Sequence, residues 1–390
     1  MRKTLIVRDL SETTFEKLKE YKKRCGFADK SWAEFFDYLV RDIHLSDLVP
    51  ERITRYSFEV LMPLWCENLA INIPHIRAGR AINDLEGYGR GKAAIVIGAG
   101  PSLWKRNHLK ILAESDFDGI VLICDRVLKD ALKAGVTPDK FDIFVGTVDG
   151  NRELIWKHYD DPVVDMFGNK IKGLFTTMAA PNARERAERA GIEIYWFNPV
   201  FDDWRKNESF TRLAGMMTKT EKRPKGIGCV RGGGNVGCAL WTIAFSVLGC
   251  DKIGLIGIDL GYLDGTPIEK TPYFDKILKS AKGDLNLASK YFKRIYNPYF
   301  KCYCLVDFVF DSYRKIWLYM ASKAPKDVVT VNCTEGGSLF GEPYIYCMRF
   351  KDFLEHYKEE NLLEYILKED VSNIQQPSHN QPQTRVFKQE

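Results

Sequence analysis

The stretch that decides the fold is Ala93-Ala94-Ile95-Val96-Ile97-Gly98-Ala99-Gly100-Pro101-Ser102-Leu103. Its first five residues are apolar, which is typical of a parallel strand that is covered on both faces. Gly98 and Gly100 allow a sharp turn and a close approach of the backbone to a ligand, and Pro101 suits the first turn of a following helix. Because such a turn points backbone N–H groups and a helix dipole beyond the strand, it favours a bound phosphate. The alternative is a tight strand-to-helix turn without a ligand.

Apolar runs alternate with helical segments along the rest of this region. The strands are predicted near residues 119–125, 142–148, 174–176, 192–197, 251–258 and 328–332. Strands and helices that alternate in this way predict an α/β fold with a Rossmann-like, doubly wound and mostly parallel sheet. In such a sheet, ligands bind outside the carboxyl ends of the strands, where the strand order reverses.

Three aspartates, Asp125, Asp149 and Asp259, each follow directly on an apolar strand. They are therefore expected beside the glycine turn, where carboxylates and phosphate oxygens together suit Mg²⁺. The alternative is that these aspartates cap the helices that follow them. The predicted nucleotide-binding residues here are Gly98, Gly100, Pro101, Ser102, Leu103 and Asp125. The predicted metal-binding and catalytic residues are Asp149 and Asp259.

A second glycine cluster, Arg231-Gly232-Gly233-Gly234-Asn235-Val236-Gly237, runs straight into an apolar helix. It predicts a second anion site in which Gly233, Gly234 and Asn235 contact the nucleotide and Arg231 adds positive charge. The alternative is that the glycines only allow a helix and a strand to pack closely. Residues 262–300 are rich in Lys, Tyr, Pro and Gly and have no clear periodicity, so they predict an insertion or lid over the site. Glu335-Gly336-Gly337 is either a late loop that closes over the ligand or a simple turn.

Residues 1–45 are predicted to form a module of one short strand and two helices, with Ser11 and Ser31 as helix caps and Glu34 completing a capping box. Strand, helix and helix in this order are similar to a ribbon-helix-helix module, which reads DNA with a two-stranded ribbon. Residues 1–45 contain ten Lys and Arg residues and eight Asp and Glu residues. Because phosphate binding needs a clear positive excess, we favour a docking or homo-oligomerisation module over a DNA reader.

The remaining boundaries follow from composition. Residues 46–91 are predicted as a helical linker region, with a helix centred on Trp65–Asn72 that Pro74 interrupts. Residues 92–345 are the nucleotide-binding domain, residues 346–371 a C-terminal helix, and the polar residues 372–390 a disordered tail.

Composition and charge describe a globular chain with a mild net charge of +5 and a hydrophobic fraction of 45%. That charge fits anionic small-molecule substrates and does not by itself indicate nucleic acid. The ten cysteines form no CxxC pair, which argues against zinc and against a disulfide framework and favours a cytoplasmic protein with reduced thiols. No signal peptide opens the sequence, and no stretch of about 18 apolar residues predicts a membrane span.

Common nucleotide and hydrolase fingerprints fit poorly. Leu103 stands where the third glycine of a dinucleotide-binding Gly-x-Gly-x-x-Gly motif would lie. The sequence contains neither a phosphate-binding loop with Gly-Lys-Ser/Thr nor a Gly-x-Ser-x-Gly nucleophile turn.

Four motifs together resemble the MptE-like family, which is named for the archaeal 6-hydroxymethyl-7,8-dihydropterin pyrophosphokinase. They are Gly98–Leu103; Gly135, Pro138-Asp139 and Asp149; Gly234–Gly237 with Gly257–Asp259; and Asn332–Gly337. The resemblance covers residues 60–345 approximately. It implies a nucleotide-dependent transferase, and for the short archaeal members this means transfer of a pyrophosphate group from ATP to a pterin alcohol with Mg²⁺.

Longer bacterial members of the family, the motility accessory factors, imply a different reaction, glycosylation with a CMP-activated, sialic-acid-like sugar. The related sialyltransferases use a histidine base after the Gly-Ile-Asp strand, and this chain has no histidine between His158 and His356. ATP-dependent diphosphate transfer with Mg²⁺ to a small hydroxyl acceptor is therefore the leading hypothesis. A glycosyltransferase and a DNA-binding regulator with a nucleotide-sensing domain are the alternatives.

Overall fold

The structure is a computed structural model that describes residues 11–36, 57–202, 204, 205, 207, 209–360 and 362–367. The predicted N-terminal strand and the polar tail lie outside these residues.

The strands of the described chain are short and number thirteen. They are β1 (Arg80–Ala81), β2 (Ala94–Ile97), β3 (Ile120–Cys124), β4 (Asp142–Thr147), β5 (Lys172–Thr176), β6 (Glu193–Pro199), β7 (Cys229–Val230), β8 (Lys252–Ile256), β9 (Tyr262–Leu263), β10 (Phe292–Asn297), β11 (Cys302–Asp307), β12 (Val329–Asn332) and β13 (Tyr346–Cys347).

The helices alternate with these strands. They are α1 (Glu12–Arg24), α2 (Met62–Ala78), α3 (Ser102–Lys105), α4 (His108–Glu114), α5 (Leu128–Lys133), α6 (Pro162–Phe167), α7 (Pro181–Arg189), α8 (Phe210–Met217), α9 (Val236–Ser246), α10 (Phe274–Ser280), α11 (Leu285–Ser289), α12 (Phe308–Ala321) and α13 (Phe350–His356). Residues 32–36 and 362–367 are also helical. A π-helical turn (Ser57–Leu61) and five 3₁₀ turns (Ile82–Leu85, Asp125–Val127, Ile155–His158, Gly168–Lys170 and Ile268–Lys270) complete the set.

The main sheet confirms the predicted α/β fold. Its order is β1-β6-β5-β4-β3-β2-β8-β12-β13, with β7 added beside β6. Every neighbouring pair in it is parallel. Strands β2 to β6 follow one another outward in chain order, and the chain then returns to place β8 on the other side of β2. The strand order therefore reverses between β2 and β8.

Both faces of this sheet are covered, as the apolar run of β2 predicts. Ala94 and Val96 belong to one buried cluster, with Trp241 of α9. Ile95 and Ile97 belong to the cluster on the opposite face. Because side chains alternate along a strand, a strand between two helical layers must be apolar at every position.

Helix α2 corrects one expectation, because Pro74 lies inside it and does not end it. The missing N–H of Pro74 would leave the carbonyl of Ala70 without a donor, but both residues are exposed, so water can hydrate that carbonyl. The opposite side of α2 is hydrogen-bonded to the loops that follow β4 and β5. Asn68 Nδ2 donates to the carbonyl oxygens of Gly150 and Met178 at 2.9 and 3.0 Å.

The segment after β8 is more regular than its sequence indicates. Strands β10, β11 and β9 form a separate three-stranded antiparallel sheet in that order, and α10 and α11 precede its hairpin. Sequence analysis predicted no strand in this insertion. The pattern is weak because only two of the six residues of β10 are fully buried.

The N-terminal helices pack on the hairpin of this insertion. A Cβ atom at Gly26, two residues beyond the end of α1, would lie 2.4 Å from Ile295 Cγ2. Lys23 Nζ lies 4.3 Å from the ring centre of Tyr299, and the Tyr303 hydroxyl donates to Asp29. Both predicted helix caps are confirmed, since Ser11 accepts the Thr14 N–H. Ser31 and Glu34 exchange both hydrogen bonds of a capping box.

At the C-terminal end, where residues 346–371 were predicted as one helix, the described chain has two, α13 and residues 362–367. Tyr344 precedes them, and Tyr346–Cys347 is the edge strand β13. In the described part of the chain, no helix combines the length and the apolar character that a membrane crossing requires.

Candidate functional site at the reversal of strand order

The loops that follow β2 and β8 meet where the strand order reverses. Gly98 donates its N–H to the Ile256 carbonyl at 2.9 Å, and Gly100 donates to the Gly257 carbonyl at 2.7 Å. Asp259 lies directly beneath the turn. Its Oδ2 accepts the Ser102 hydroxyl at 2.7 Å and the Ser102 N–H at 3.3 Å.

The two glycines are required by this close approach. A Cβ atom on Gly100 would lie 2.1 Å from Asp259 Oδ2, and one on Gly98 would lie 2.5 Å from the Gly257 oxygen. The same contacts correct the expected role of the turn. Because the Gly98 and Gly100 N–H groups donate to carbonyls of the protein, they are not available to a phosphate, and the turn instead forms a fixed floor.

Asp259 is 4% exposed. Burial raises the pKa of its carboxyl to about 6, and the hydrogen bonds from Ser102 act in the opposite direction. A carboxyl that titrates near neutrality can take up or release a proton during a reaction. It is a weaker metal ligand, because Oδ2 is already engaged by Ser102.

Asp125 holds two strand ends together. Its Oδ2 accepts the Thr147 hydroxyl at 2.9 Å, and its Oδ1 accepts the Arg126 N–H at 2.7 Å. His158 Nδ1 lies 3.5 Å from the same Oδ1. The buried carboxylate therefore ties the end of β3 to the end of β4, and its hydrogen bonds are made within the protein.

Asp149 is exposed at the end of β4. Its Oδ1 accepts the Asn151 N–H at 2.9 Å. Burial raises the pKa values of Tyr273 and Tyr313, and the negative charges of Asp307 and Asp149 contribute to both shifts. Tyr273 comes from the insertion and Tyr313 from α12, so the charge of Asp149 acts on groups of both elements.

The expected convergence of three aspartates on one metal is not formed. Across the described ranges, no group of three or more His, Cys, Asp or Glu side chains could hold a metal ion. Asp125 and Asp259 direct their carboxylates into the protein, where hydroxyl and N–H groups bind them. Of the three carboxylates, only that of Asp149 is exposed.

The second glycine cluster borders a cavity of about 720 Å³. Gly233 and Gly234 line it together with Arg231, which follows β7. Asn235 is the N-cap of α9, and its side chain accepts the Cys238 N–H at 2.9 Å. A Cβ atom on Gly234 would lie 2.6 Å from the ring of Tyr313. The structure thus places Gly233 and Gly234 at a cavity and gives Asn235 a capping role.

One side chain separates the two glycine turns. Cβ atoms on Gly98 and Gly237 would lie 2.4 and 2.6 Å from Ile258 Cδ1. Both turns therefore border the same edge of the sheet, as the sequence predicts.

The loop after β12 also reaches this edge. Ser338 donates its N–H to the Asp259 carbonyl at 2.8 Å, and Arg314 Nε donates to the Ser338 carbonyl at 2.6 Å. Glu335 adopts a left-handed φ of 53°. Its Oε1 lies 3.5 Å from His108 Nε2, and this contact, the largest cause, lowers the pKa of Glu335.

Sequence analysis missed His108 and Arg314 as parts of the site. His108 stands in an ordinary helix, and Arg314 lies in the middle of an amphipathic one. For Glu335, the polar Thr-Glu-Gly-Gly run directly after a strand is a usable signal.

Comparison with known proteins places this arrangement in a family. The model of the family described as 6-hydroxymethylpterin diphosphokinase MptE-like matches residues 67–265. That range contains β2, β8, the Gly98 turn and Asp259.

Among solved structures, the MAf glycosyltransferase from Magnetospirillum magneticum AMB-1 is similar at 13% identity and a TM-score of 0.45, over 71% of this chain and 38% of that chain. The chain thus spans well under half of the length of that protein. No curated protein matches the chain. Since the family model covers just over half of the sequence, including both strands at the reversal of strand order, the chain belongs to the MptE-like family of transferases.

Proposed function

We propose that the chain transfers a diphosphate group from ATP to a small hydroxyl acceptor, with Mg²⁺. The observation that carries the proposal is the junction of the Gly98–Ser102 turn with Asp259, because ligands of open α/β sheets bind where the strand order reverses. Membership of a family named for a diphosphokinase supports this reaction class.

The nucleotide would lie over the floor formed by Gly98, Gly100, Pro101, Ser102 and Leu103. Its phosphates would extend toward Arg231 and the Gly233–Gly234 turn, which line a cavity large enough for them. Within the described chain, no ion-pair or hydrogen-bond partner binds the Arg231 guanidinium, and an arginine can take a phosphate in a bidentate way.

Asp149 fits Mg²⁺ in the manner typical of phosphate chemistry. Mg²⁺ uses one or two carboxylates together with substrate oxygens, and Asp149 is exposed with only one N–H bonded to Oδ1. When bound, Mg²⁺ supplies charge neutralisation for the phosphates. Asp259 fixes the turn through Ser102, and its carboxyl, with a pKa raised to about 6, can exchange a proton close to neutral pH.

The acceptor would lie beneath the insertion. Tyr273 and Tyr313 are kept protonated by their surroundings and can donate hydrogen bonds to a polar acceptor. Their hydroxyls would orient the acceptor oxygen toward the transferred group, since diphosphate transfer depends mainly on positioning and charge neutralisation.

A thermal-shift screen with ATP, AMP, CTP and CMP, each with and without Mg²⁺, tests the proposal. A ligand that binds only the folded protein raises the melting temperature. We expect stabilisation by ATP with Mg²⁺ that is lost in Asp149→Asn and kept in Asp327→Asn, an exposed control before β12. Stabilisation by CMP or CTP alone would instead support a glycosyltransferase with a CMP-activated sugar.

A further inference from the structure

A second concave region lies beside the segments that contact Asp259. It is a cavity of about 400 Å³ whose charged lining consists of Lys105, Arg106, Arg349, Lys351, Glu335 and Asp352. The four cations come from two separate segments, the end of α3 and the start of α13. None of these four cations was predicted as part of the nucleotide site.

Positive charge predominates in this lining, where four cations accompany two carboxylates, Glu335 and Asp352. Arg106 donates to the Glu335 carbonyl at 3.2 Å. In the described chain, the side chains of Lys105, Arg349 and Lys351 take part in no ion pair and no hydrogen bond. Because the cations outnumber the carboxylates by four to two, a bound anion would reduce the repulsion among them.

The rim of the cavity is held in an unfavourable backbone conformation. Asn107 and Glu335 line it, and both have a φ of 53°, a left-handed conformation that Asn tolerates but that is unfavourable for Glu. Two contacts hold the Glu335 side chain. Phe350 donates its N–H to Oε1 at 3.4 Å, and His108 Nε2 lies 3.5 Å from the same oxygen. Such strain persists only where surrounding contacts impose it, and it gathers at ligand sites.

The two chain segments that form the walls of the cavity also form hydrogen bonds with Asp259. Lys105 and Arg106 follow Ser102, whose hydroxyl donates to Asp259. Glu335 precedes Ser338, whose N–H donates to the Asp259 carbonyl. An anion in this cavity would therefore lie next to the crevice at the reversal of strand order.

We propose that this cavity, lined by Lys105, Arg106, Arg349 and Lys351, binds a phosphate or diphosphate group. Arginine offers paired N–H donors to phosphate oxygens, and lysine adds a mobile point charge. Glu335, tied to His108 and Phe350, sets the shape of the rim. The inference goes beyond the proposed reaction, because the group could belong to the nucleotide or to a separate phosphorylated ligand.

Binding of inorganic diphosphate to the full chain, measured by isothermal titration calorimetry without nucleotide, tests this site. We expect wild-type binding to weaken by about tenfold or more in Arg349→Ala/Lys351→Ala, since two charged contacts are lost. The matched control is Lys92→Ala/Lys326→Ala, which removes two exposed lysines that precede β2 and β12 at the opposite edge of the sheet. It is expected to change binding less than about twofold.

Absence of measurable binding at millimolar diphosphate, or an equal loss in both double variants, would overturn the proposal. Lys105→Gln serves as an independent variant if the double substitution impairs folding, and unfolding curves in urea identify such a failure. Diphosphate binding that persists in Asp149→Asn separates this site from the proposed Mg²⁺ residue. Competition with ATP then assigns the anion: exclusion identifies the phosphates of the nucleotide, and simultaneous binding identifies a separate phosphorylated ligand.

Discussion

The buried carboxyl of Asp259 holds the glycine turn through Ser102 and is also a titratable group. Burial raises the pKa of its carboxyl from 3.8 to about 6. A carboxyl whose pKa is higher in the folded chain binds more protons there than in the unfolded chain. Its contribution to the free energy of unfolding is therefore fully present at low pH and is lost as the pH rises through the folded pKa.

Asp259→Asn should remove this dependence, because the amide oxygen can still accept the Ser102 hydroxyl. We expect the free energy of unfolding of the variant, relative to wild type, to rise by as much as about 3 kcal/mol from about pH 4 to about pH 7. Urea unfolding at a series of pH values measures it. Asp327→Asn, exposed before β12, is the control, and a flat difference for Asp259→Asn would contradict the assignment.

Gly100→Ala should damage both the turn and ligand binding. Its Cβ atom would lie 2.1 Å from Asp259 Oδ2. Relief requires movement of the loop after β8, so we expect a loss of stability of more than about 1 kcal/mol and a smaller nucleotide-induced rise in melting temperature. Gly215→Ala in α8 is the matched control, since its nearest neighbour lies 3.9 Å away. Equal behaviour of the two variants would refute the steric argument.

Helix α2 shows how one face of an element can tolerate an unfavourable residue while the other face holds it in place. Pro74 lies on the exposed side, and Asn72 on the buried side donates to the carbonyl oxygens of Thr177 and Ala179 at 3.2 and 2.9 Å. These bonds satisfy backbone groups at the edge of the sheet, so the helix persists although one internal hydrogen bond is missing.

Pro74→Ala should therefore stabilise the protein. The substitution restores an N–H donor to the Ala70 carbonyl and relieves the ring contact, and we expect a gain of about 1–3 kcal/mol in the free energy of unfolding. The urea unfolding midpoint measures the gain. Pro162→Ala in the first turn of α6 is the control, because the N-cap Asp161 before it is extended, an N–H there has no partner within the helix, and no gain is expected.

The central strands and the insertion differ in how much their sequences reveal. Strands β2 and β8 are buried on both faces, so their apolar runs predict them directly. Strands β10 and β11 pair with each other over Phe292–Asn297 and Cys302–Asp307. Their Lys, Arg and Tyr side chains reflect a half-exposed sheet whose partner surface, the N-terminal helices, no local pattern can indicate.

The candidate site was likewise predictable only in part from the sequence. Sequence analysis identified Gly98, Gly100 and Asp259 because glycine turns and strand-end aspartates mark the carboxyl edge of a sheet. The direction of each carboxylate was not predictable. It depends on partners far away in sequence, such as Thr147 for Asp125 and Ser102 for Asp259, which lie 22 and 157 residues apart from them.

The N-terminal helices, the insertion and the sheet form a series of contacts across the protein. Residues of α1 and the following turn cover the β10–β11 hairpin, and the hairpin in turn contacts the late loop. Asn297 Nδ2 donates to the carbonyl oxygens of Gly336 and Gly337 at 3.2 and 3.1 Å. The hairpin therefore connects the N-terminal segment to the rim of the site.

Deletion of residues 1–36 should loosen this hairpin selectively. Removing the surface that covers Ile295 and Tyr299 exposes apolar area, so we expect faster amide hydrogen exchange at residues 292–307 and unchanged exchange at residues 94–97. Hydrogen exchange with mass spectrometry measures both. Tyr319→Phe on the exposed side of α12 is the control. Uniform acceleration across the sheet would show that the segment supports the whole fold instead.

The N-terminal module also remains our predicted site of homo-oligomerisation. Light scattering of the full chain and of the same deletion tests it. A full-length assembly that becomes a monomer on deletion supports the prediction, and an unchanged mass contradicts it.

The return of the chain to β8 has a consequence for synthesis on the ribosome. Strands β2 to β6 can pair with their predecessors as they emerge, but one edge of β2 stays open until residues 252–256 arrive. During this interval the nascent chain presents an unpaired apolar strand edge, which favours association with other chains. A ligand bound over the Gly98 turn, as proposed, could therefore stabilise only the finished sheet, and a chaperone that shields the edge of β2 would act before any substrate could.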